Sequence, residues 1–298
     1  MKIKVSIIIV NYDCEEHTCN CIDSIYKYIR GPYFEIIVVD NASSVSSVNT
    51  ISEKFPEIKL IVNEENKGFG AANNIGARHA LGKYLFFLNP DTLLLSDAVS
   101  QFYDFLENTT NDVACCGGNL IKEDGTPNRS FGNFPSVFQE FSDIGFRKFY
   151  NRFYTEHLAL GRICNFQDIR QVKYLVGAAF FIKKTAFEAL NGFDERFFLF
   201  YEETDLFYRL DKAKHKTYLL PQVKIIHFEG VTEVKNRSFN YSKWALWERS
   251  RYYYFKKNRG LFISTFIKYL QIFSFIFHYL FGSTSFSLSK VLRITINA

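Results

Sequence analysis

The chain has 298 residues, which is enough for one large α/β domain or for a domain with an appendage. Its net charge of +5 is modest, but Lys and Arg crowd the C-terminal third, which favours anionic phosphates or an anionic membrane over a general nucleic-acid role. Six cysteines without paired C-x-x-C spacing argue against a zinc site, and with no secretory signal before the first strand pattern they predict a reducing cytoplasm.

The first 92 residues alternate between apolar runs and segments with helical spacing. Four runs are typical of strands in a parallel sheet: residues 4–10, 35–39, 59–62 and 84–88. The segments between them predict helices over residues 15–29, 43–55 and 71–81. Because the connections are long enough for right-handed crossovers, the pattern predicts a nucleotide-binding α/β half-domain.

Polar residues follow three of these strands: Asn11 and Tyr12, Asp40 and Asn41, and Asn89 and Asp91. The carboxyl ends of parallel strands meet at one edge of a sheet, where open α/β sheets bind their ligands. There Asp40 can accept hydrogen bonds from a base or ribose, and Tyr12 can offer a flat face to the base. Pro90 ends its strand and leaves Asp91 at the tip, where one carboxylate can ligate Mg²⁺ or Mn²⁺ carrying a diphosphate. The structural alternative for each aspartate, a cap or turn before the next helix, stays open.

A glycine-rich segment begins at Gly68 and continues through Gly70 to Asn73. It resembles a dinucleotide fingerprint only in part, because Asn73 occupies the third glycine position and the segment lies in the third crossover. A Rossmann dehydrogenase is therefore disfavoured. Gly70 and Asn73 are predicted to let the backbone approach a bound nucleotide at a helix start, and close packing of helix on sheet is the alternative.

Past residue 92 the pattern predicts strands over 111–118, 173–183 and 223–226 and a hairpin over 120–130. A second chemical centre follows, where Glu202, Glu203 and Asp205 stand together at a helix start among aromatic residues. Aromatic surroundings raise the pKa of a carboxyl group, which suits a general base. Solvated acids favoured by the helix dipole are the alternative.

Four stretches carry a resemblance: VNYD (10–13), VVDNAS (38–43), NKGFGAANNIG (66–76) and FLNPDT (87–92). They are similar to inverting family 2 glycosyltransferases with the GT-A fold, and most of all to the rhamnosyltransferase-like branch that builds bacterial surface polysaccharides. The resemblance covers about residues 4–255. It implies an α/β fold with a GT-A-like nucleotide-binding sheet, helices on both faces and, here, a C-terminal amphipathic helical extension.

The resemblance also assigns donor-side roles. Asp40 would bind the base, as the aspartate at the second strand tip does in that family. Asn89-Pro90-Asp91 falls on the D-x-D-type motif for the metal-diphosphate, with Asn in the first acidic position and Asp91 as the principal metal-side carboxylate. His227 with Gly230 matches an H-x-x-G setting that supplies a further metal or diphosphate ligand, although a lone histidine at a strand end is more often structural.

On the acceptor side, Glu202, Glu203 and Asp205 fall on the acids of the family signature E-D-x-D-L-x-x-R. The second acid is the expected catalytic base, which implies Glu203. This residue is one methylene longer than the usual aspartate, so Glu202 and Asp205 remain candidates. Arg251, with Arg249, is expected to meet the leaving diphosphate, with exposure to solvent or a membrane surface as the alternative.

The implied reaction is one inverting displacement from a nucleotide sugar, with dTDP-L-rhamnose as the expected donor. The expected acceptor is a lipid-linked saccharide at the inner face of a bacterial membrane, in O-antigen, capsule or cell-wall polysaccharide synthesis. Two other classes stay open. One is a nucleotidyltransferase, although no basic glycine-rich phosphate loop follows the first strand. The other is a non-catalytic module that tethers an assembly complex to the membrane.

Residues 261–281 are long enough to span a bilayer. Ser264, Lys268, Gln271 and His278 form a polar stripe, which favours an amphipathic anchor in the membrane plane. Docking on the protein's own core or on a second subunit is the alternative. We therefore predict a glycosyltransferase domain over 1–255, divided into a donor half (1–92) and an acceptor half (93–255), and a basic, aromatic-rich helical extension over 256–298.

Overall fold

The computed structural model describes residues 2–143, 146–159, 161–228, 240–281 and 287–298. The first part of the chain alternates between strands and helices as predicted. The strands are β1 (Val5–Asn11), β2 (Phe34–Asp40), β3 (Lys59–Val62) and β4 (Tyr84–Leu88). The helices between them are α1 (Glu15–Tyr28), α2 (Val45–Lys54) and α3 (Phe69–His79).

These four strands are parallel neighbours in one sheet, in the order β3-β2-β1-β4. Every residue of β1 is buried, because helices cover both faces of the sheet. The register pairs Asn11 with Asp40, so the ends of β1 and β2 lie side by side. The predicted shared edge of polar strand ends is confirmed.

The second part of the chain extends this sheet and adds a smaller one. Its strands are β5 (Thr92–Leu94), β6 (Val113–Ile121), β7 (Arg129–Gly132), β8 (Arg162–Ile163), β9 (Arg170–Val172), β10 (Tyr174–Leu175), β11 (Ala179–Lys183) and β12 (Lys216–His227). Its helices are α4 (Ala98–Glu107), α5 (Val137–Asp143), α6 (Asn151–Phe153), α7 (Lys184–Ala189) and α8 (Glu202–Lys212), with a 3-10 turn at Phe146–Phe149 and a π-helical turn at Tyr154–Leu158. Within the described residues the large sheet continues from β4 as β11-β6-β12-β5, and β10-β7-β8 form the small sheet.

The strand predicted over residues 173–183 is two strands in two sheets. Leu175 of β10 pairs with Phe131 in the small sheet, whereas β11 lies between β4 and β6 in the large one. Gly177 falls in the crossing, where a Cβ atom would lie 3.4 Å from the Glu203 side chain. The sequence does not reveal where one strand ends and the next begins, because both strands are buried and together form one apolar run. The predicted hairpin at 120–130 is present, with Gly125 at φ +80° in its turn.

The C-terminal helices are α9 (Tyr241–Arg259), α10 (Leu261–Phe281) and α11 (Leu288–Asn297). Helix α9 runs without interruption across the predicted boundary at residue 255. Its aromatic side chains form a cluster with those around α8: Phe197, Tyr201, Tyr208, Tyr252, Tyr254 and Phe255. The extension is therefore packed onto the element that carries the acidic residues.

Helix α10 exposes apolar side chains, while part of its polar stripe contacts protein. Ser264 donates to the Tyr252 carbonyl at 3.0 Å, and Gln271 accepts from Arg251 at 3.3 Å. Phe262 and Phe273 are 83% and 64% exposed. Ser264 and Gln271 of the predicted polar stripe thus contact protein, whereas His278 is exposed. Among the described helices, α10 is the one that is long and apolar enough to cross a membrane.

Candidate active site

A cleft of about 550 Å³ opens at the carboxyl ends of β1, β2 and β4. Strand-end residues form one wall, including Tyr12, which is 46% exposed, and Asn41, Asn89 and Asp91. The opposite wall comes from Phe198 and Leu199 before α8 and from the start of α9: Asn240, Ser242, Lys243 and Leu246. The sequence did not indicate this α9 wall, since its residues lie about 150 positions from the strand ends.

Asp40 and Asn11 lie behind this wall, with no exposed surface. Asn11 Nδ2 donates to Asp40 Oδ2 at 2.7 Å, and the Ser43 backbone N–H donates to Asp40 Oδ1 at 2.9 Å. Both side chains are therefore used to order the strand-end loop. This corrects the expectation that they face the donor, since here Tyr12 and Asn41 reach the cleft instead.

An amide relay shapes the cleft floor next to Asn41. Asn63 Nδ2 donates to Asn41 Oδ1 at 3.0 Å, and Asn41 Nδ2 donates to Asn66 Oδ1 at 2.8 Å. Asn66 Oδ1 also accepts from the Gly68 N–H at 2.9 Å. Sequence reasoning missed Asn63 and Asn66, although two asparagines between a strand and a glycine-rich turn are a usable signal for such a relay.

Gly68, not Gly70, is the glycine at the cleft. Gly68 has φ +85°, and a Cβ atom there would lie 2.3 Å from the Phe198 carbonyl oxygen. At Gly70 a Cβ atom would meet Phe193 and Glu202, which is helix packing. Asn73 is buried and donates to the Phe69 carbonyl at 3.0 Å. The predicted donor contacts of Gly70 and Asn73 are thus corrected to structural roles.

The predicted metal-side residues converge at the end of β4. His227 Nε2 lies 3.4 Å from Asp91 Oδ1, because β12 pairs with β5 directly after Asp91. Asn89 Oδ1 and His227 Nδ1 are buried without a hydrogen-bond partner in the described part of the chain. Gly230, the other half of the predicted motif, lies outside the described residues.

Two oxygens and an imidazole nitrogen suit Mg²⁺ or Mn²⁺ when phosphate oxygens and water complete the shell. The described residues hold no group of three or more His, Cys, Asp or Glu side chains arranged for a metal. Asn89, Asp91 and His227 therefore fit a cation that arrives with a diphosphate, and they do not form an all-protein metal cage.

Glu202 and Glu203 begin α8, and among the described residues neither has the cationic partner that Asp205 has. Burial raises the pKa of both carboxyl groups, and the charge of Glu203 raises that of Glu202 further. Backbone N–H groups of Thr204 and Gly177 partly offset the shift at Glu203. One oxygen of each carboxyl group is buried without a partner. These observations exclude the alternative of solvated acids at the helix start. They favour one of the two carboxylates as a proton acceptor.

Asp205 is a structural residue and not a candidate base. It is fully buried, and its Oδ2 lies 2.7 Å from both Arg209 Nε and Lys257 Nζ. Asn258 Nδ2 donates to its Oδ1 at 3.1 Å. Three donors occupy this carboxylate, so the expectation that Asp205 takes a substrate proton is corrected. Its contacts tie α8 to the end of α9.

The turn before Glu202 is strained and is held by α9. Phe200 and Tyr201 have φ values of +68° and +66°, a conformation that costs of order 1–3 kcal/mol for each non-glycine residue. Ser250 Oγ donates to the Leu199 carbonyl at 2.7 Å, and the Trp247 ring lies 5.4 and 5.1 Å from the Phe200 and Tyr201 rings. These contacts fix the orientation of the first turn of α8.

Arg251 does not reach the cleft. It is 5% exposed, with Glu248 at 3.1 Å and Glu140 at 3.3 Å. The predicted contact with a leaving diphosphate is therefore corrected to an ion-paired position between α5 and α9. Its neighbour Arg249 is exposed.

Comparisons with known proteins show which family and fold this chain resembles. The hexosyltransferase Agl10 of low-salt glycan biosynthesis from Haloferax volcanii is 26% identical over 247 residues, which cover 78% of this chain and 70% of that protein. The N-acetylglucosaminyl-diphospho-decaprenol L-rhamnosyltransferase of Mycobacterium tuberculosis is 24% identical over 208 residues, covering 65% and 66%. Other relatives match over less of their length. The poly(ribitol-phosphate) β-glucosyltransferase of Bacillus spizizenii is 29% identical over 43% of this chain but only 21% of its own.

Among solved structures, a mannosyltransferase from Pyrobaculum calidifontis in complex with GDP-Man and Mn²⁺ superposes with a TM-score of 0.55 at 15% identity, covering all of this chain and 80% of that one. At that identity the likeness shows the fold, which is GT-A. The sequence model of glycosyl transferase family 2 matches residues 6–190, more than half of the chain. The chain is therefore a glycosyltransferase and belongs to glycosyl transferase family 2.

Proposed function

We propose that this enzyme transfers a sugar from a nucleotide-sugar donor to a saccharide acceptor by one inverting displacement. One observation carries the proposal: two consecutive residues, Gly177 and Ala178, contact both the donor-side strand end and the buried acids. The Asn89 N–H donates to the Ala178 carbonyl at 2.8 Å, and the adjacent Gly177 lies against Glu203. These two contacts connect the strand end that carries Asn89 and Asp91 to Glu203 through one short crossing, which supports a shared site.

Each part of the site then has a task. Tyr12 and Asn41 bind the base and ribose in the cleft, and Asn89, Asp91 and His227 hold the diphosphate with its cation. A bound Mg²⁺ or Mn²⁺ would supply charge neutralisation at the departing nucleotide. Glu203 accepts the proton of the acceptor hydroxyl as it attacks the anomeric carbon from the opposite face.

In its specific form the proposal names dTDP-L-rhamnose as donor and a lipid-linked saccharide of bacterial surface polysaccharide as acceptor. The four sequence motifs and the mycobacterial rhamnosyltransferase relative support this choice. The outward apolar face of α10, with exposed Lys256, Arg259 and Arg293 nearby, supports a peripheral position on the inner face of the cell membrane. Association of two copies through this face is the alternative.

Donor hydrolysis tests the proposal. Purified protein is incubated with a panel of nucleotide sugars in Mg²⁺, in Mn²⁺ and in EDTA, and released nucleoside diphosphate is measured. We expect metal-dependent release from one donor, with loss of release in Asp91→Ala and retention in the control Asp124→Ala, an exposed hairpin aspartate. Pyrophosphate release from a nucleoside triphosphate would instead support the nucleotidyltransferase alternative. Binding of no nucleotide would favour the tethering module.

A further inference from the structure

A second cavity, of about 540 Å³, lies on the acceptor side of the molecule. Its walls come from β7 and β8 of the small sheet, the turns around α6, and Trp247 of α9. Three arginines line it: Arg129, Arg147 and Arg162. The donor cleft does not share these arginines, so the reaction described above leaves them without a role.

The three guanidinium groups are positioned but not neutralised. Arg162 donates to the Glu156 carbonyl oxygen at 3.0 Å and lies over the Phe131 ring, while Arg147 donates to Asn151 Oδ1 at 3.0 Å. None of the three forms a salt bridge with a carboxylate in the described ranges. Stacked, oriented guanidinium groups without acidic partners suit phosphate oxygens.

Gly161 brings backbone close to the first of these arginines. A Cβ atom at Gly161 would lie 2.6 Å from Arg129 Cδ, so any larger residue would displace the Arg129 side chain. The close approach confines Arg129 to the cavity wall.

The cavity adjoins the catalytic turn on one side. Trp247 lines it and packs 5.1 Å from the Tyr201 ring, the residue directly before Glu202 and Glu203. Trp247 therefore connects the wall of the arginine cavity to the turn that carries Glu203.

The cavity adjoins the apolar helix on the other side. Gln139 of α5 lines it, and Phe141 of the same helix packs on Phe266 of α10 at 6.0 Å between ring centroids. Phe266 is 40% exposed on the apolar face of α10. Helices α5 and α9 thus each contribute a residue to the cavity wall, and the same helices contact α10 and the turn before Glu202.

We infer that this cavity, defined by Arg129, Arg147 and Arg162, binds the phosphate or diphosphate that links the acceptor sugar to its lipid. The sugar extends toward Glu203 and the lipid toward α10. The inference rests on the proposed function, because it locates the binding site for the phosphate of the lipid-linked acceptor proposed there.

Calorimetric binding of farnesyl diphosphate, with farnesol as the probe without phosphate, tests the inference. We expect farnesyl diphosphate to bind at least tenfold more tightly than farnesol, and the double variant Arg129→Gln/Arg162→Gln to lose at least tenfold of that affinity. Arg129→Lys/Arg162→Lys retains the charges and is expected to lose less. Arg152→Gln is the matched control, because it removes one charge from the same segment with a side chain that is 92% exposed, and it should bind like the wild type. Thermal melting identifies variants that are unfolded.

Equal binding of farnesyl diphosphate to the double variant and the wild type would overturn the inference. So would complete displacement by nucleoside diphosphate together with loss of binding in Asp91→Ala, since the probe would then occupy the donor cleft. If the double variant lost only its binding to phosphatidylglycerol vesicles, the arginines would contact headgroups and the inference would fail. Failure of the proposed function is separate: nucleoside diphosphates would not bind, while farnesyl diphosphate binding still depended on the arginines.

Discussion

At the scale of single residues, the first turn of α8 divides three neighbouring acids between two tasks. Asp205 has Arg209, Lys257 and Asn258 as partners and holds the helix in place. Glu202 and Glu203 have no cationic partner in the part of the chain that the structure describes, and burial raises the pKa of both. The proposed catalytic role of Glu203 therefore depends on Asp205, which fixes the helix that carries both residues. The sequence showed the cluster but not this division, because it depends on partners about 50 residues away.

Glu202→Gln should increase stability at neutral and alkaline pH. Because the folded-state pKa of Glu202 lies above its unfolded value, its stabilising contribution is complete below the unfolded pKa and is lost as pH rises through the folded one. The glutamine side chain of the variant does not ionise, so the variant does not lose this stability as pH rises. Denaturant unfolding at pH 4 and pH 8 should show a gain at pH 8 only. The exposed Glu123→Gln is the control, and a gain of equal size at both pH values would contradict this account.

The same reasoning gives the pH dependence of turnover. Glu203 must be ionised to accept a proton, and its raised pKa moves the acidic limb of the rate profile above the usual carboxyl range near pH 4.3. A measured profile of sugar transfer that stays flat down to pH 4.3 would show that another group is the base.

At the scale of elements, α9 connects the parts of the proposed active site. It supplies one wall of the donor cleft, holds the strained turn at Phe200 and Tyr201, and reaches Asp205 through Lys257. The sequence predicted a domain boundary within this helix, which lies outside the matched family region ending at residue 190.

Ser250→Ala tests this positioning. The loss of one hydrogen bond to the Leu199 carbonyl is worth about 1 kcal/mol, which corresponds to roughly fivefold in rate if it acts wholly on the orientation of Glu203. We expect the turnover number to fall by about that factor with an unchanged KM for the donor, and Ser250→Thr to recover activity. A rise in KM alone, or equal losses in both variants, would contradict a positioning role.

Strand ends and helix packing differ in how far sequence predicts them. The four parallel strands and the shared edge of Asn11, Asp40 and Asp91 follow from the strand and helix pattern, since the carboxyl ends of parallel strands lie on one edge, whereas the order β3-β2-β1-β4 does not. Which of them face the cleft does not follow, because Asp40 turns inward to Asn11 and Ser43. The arrangement of α9 depends on aromatic contacts without a periodic signal, such as Tyr201 against Trp247.

At the scale of the whole molecule, the enzyme has one face that is unlike an ordinary protein surface. Helix α10 directs Ser264 and Gln271 toward α9 and exposes Phe262, Tyr269 and Phe273. Basic side chains nearby suit anionic lipid, at about 1 kcal/mol for each Lys or Arg near the surface. Helix α9 lines both the donor cleft and the arginine-lined cavity. Helix α5 lines the same cavity and packs on α10.

Phe262→Glu/Phe273→Glu should abolish membrane association. Each buried Phe contributes about 1.5–3 kcal/mol, so the double variant should lose at least a hundredfold in partitioning to phosphatidylglycerol vesicles. Co-sedimentation measures this. Phe149→Glu is the control, since Phe149 is 84% exposed and lies outside α10. Unchanged vesicle binding, with conversion of a dimer to a monomer, would show that a second copy covers this face.

The central claim is that Glu203 accepts the acceptor's proton, and the rate of sugar transfer by Glu203→Gln tests it most directly. With the donor found in the hydrolysis panel and a matching acceptor, the account predicts a fall in turnover of about 10²–10⁴-fold. Nucleoside diphosphate binding and thermal stability should be retained, and Glu202→Gln should remain active. A folded Glu203→Gln enzyme that transfers sugar at the wild-type rate would contradict the account.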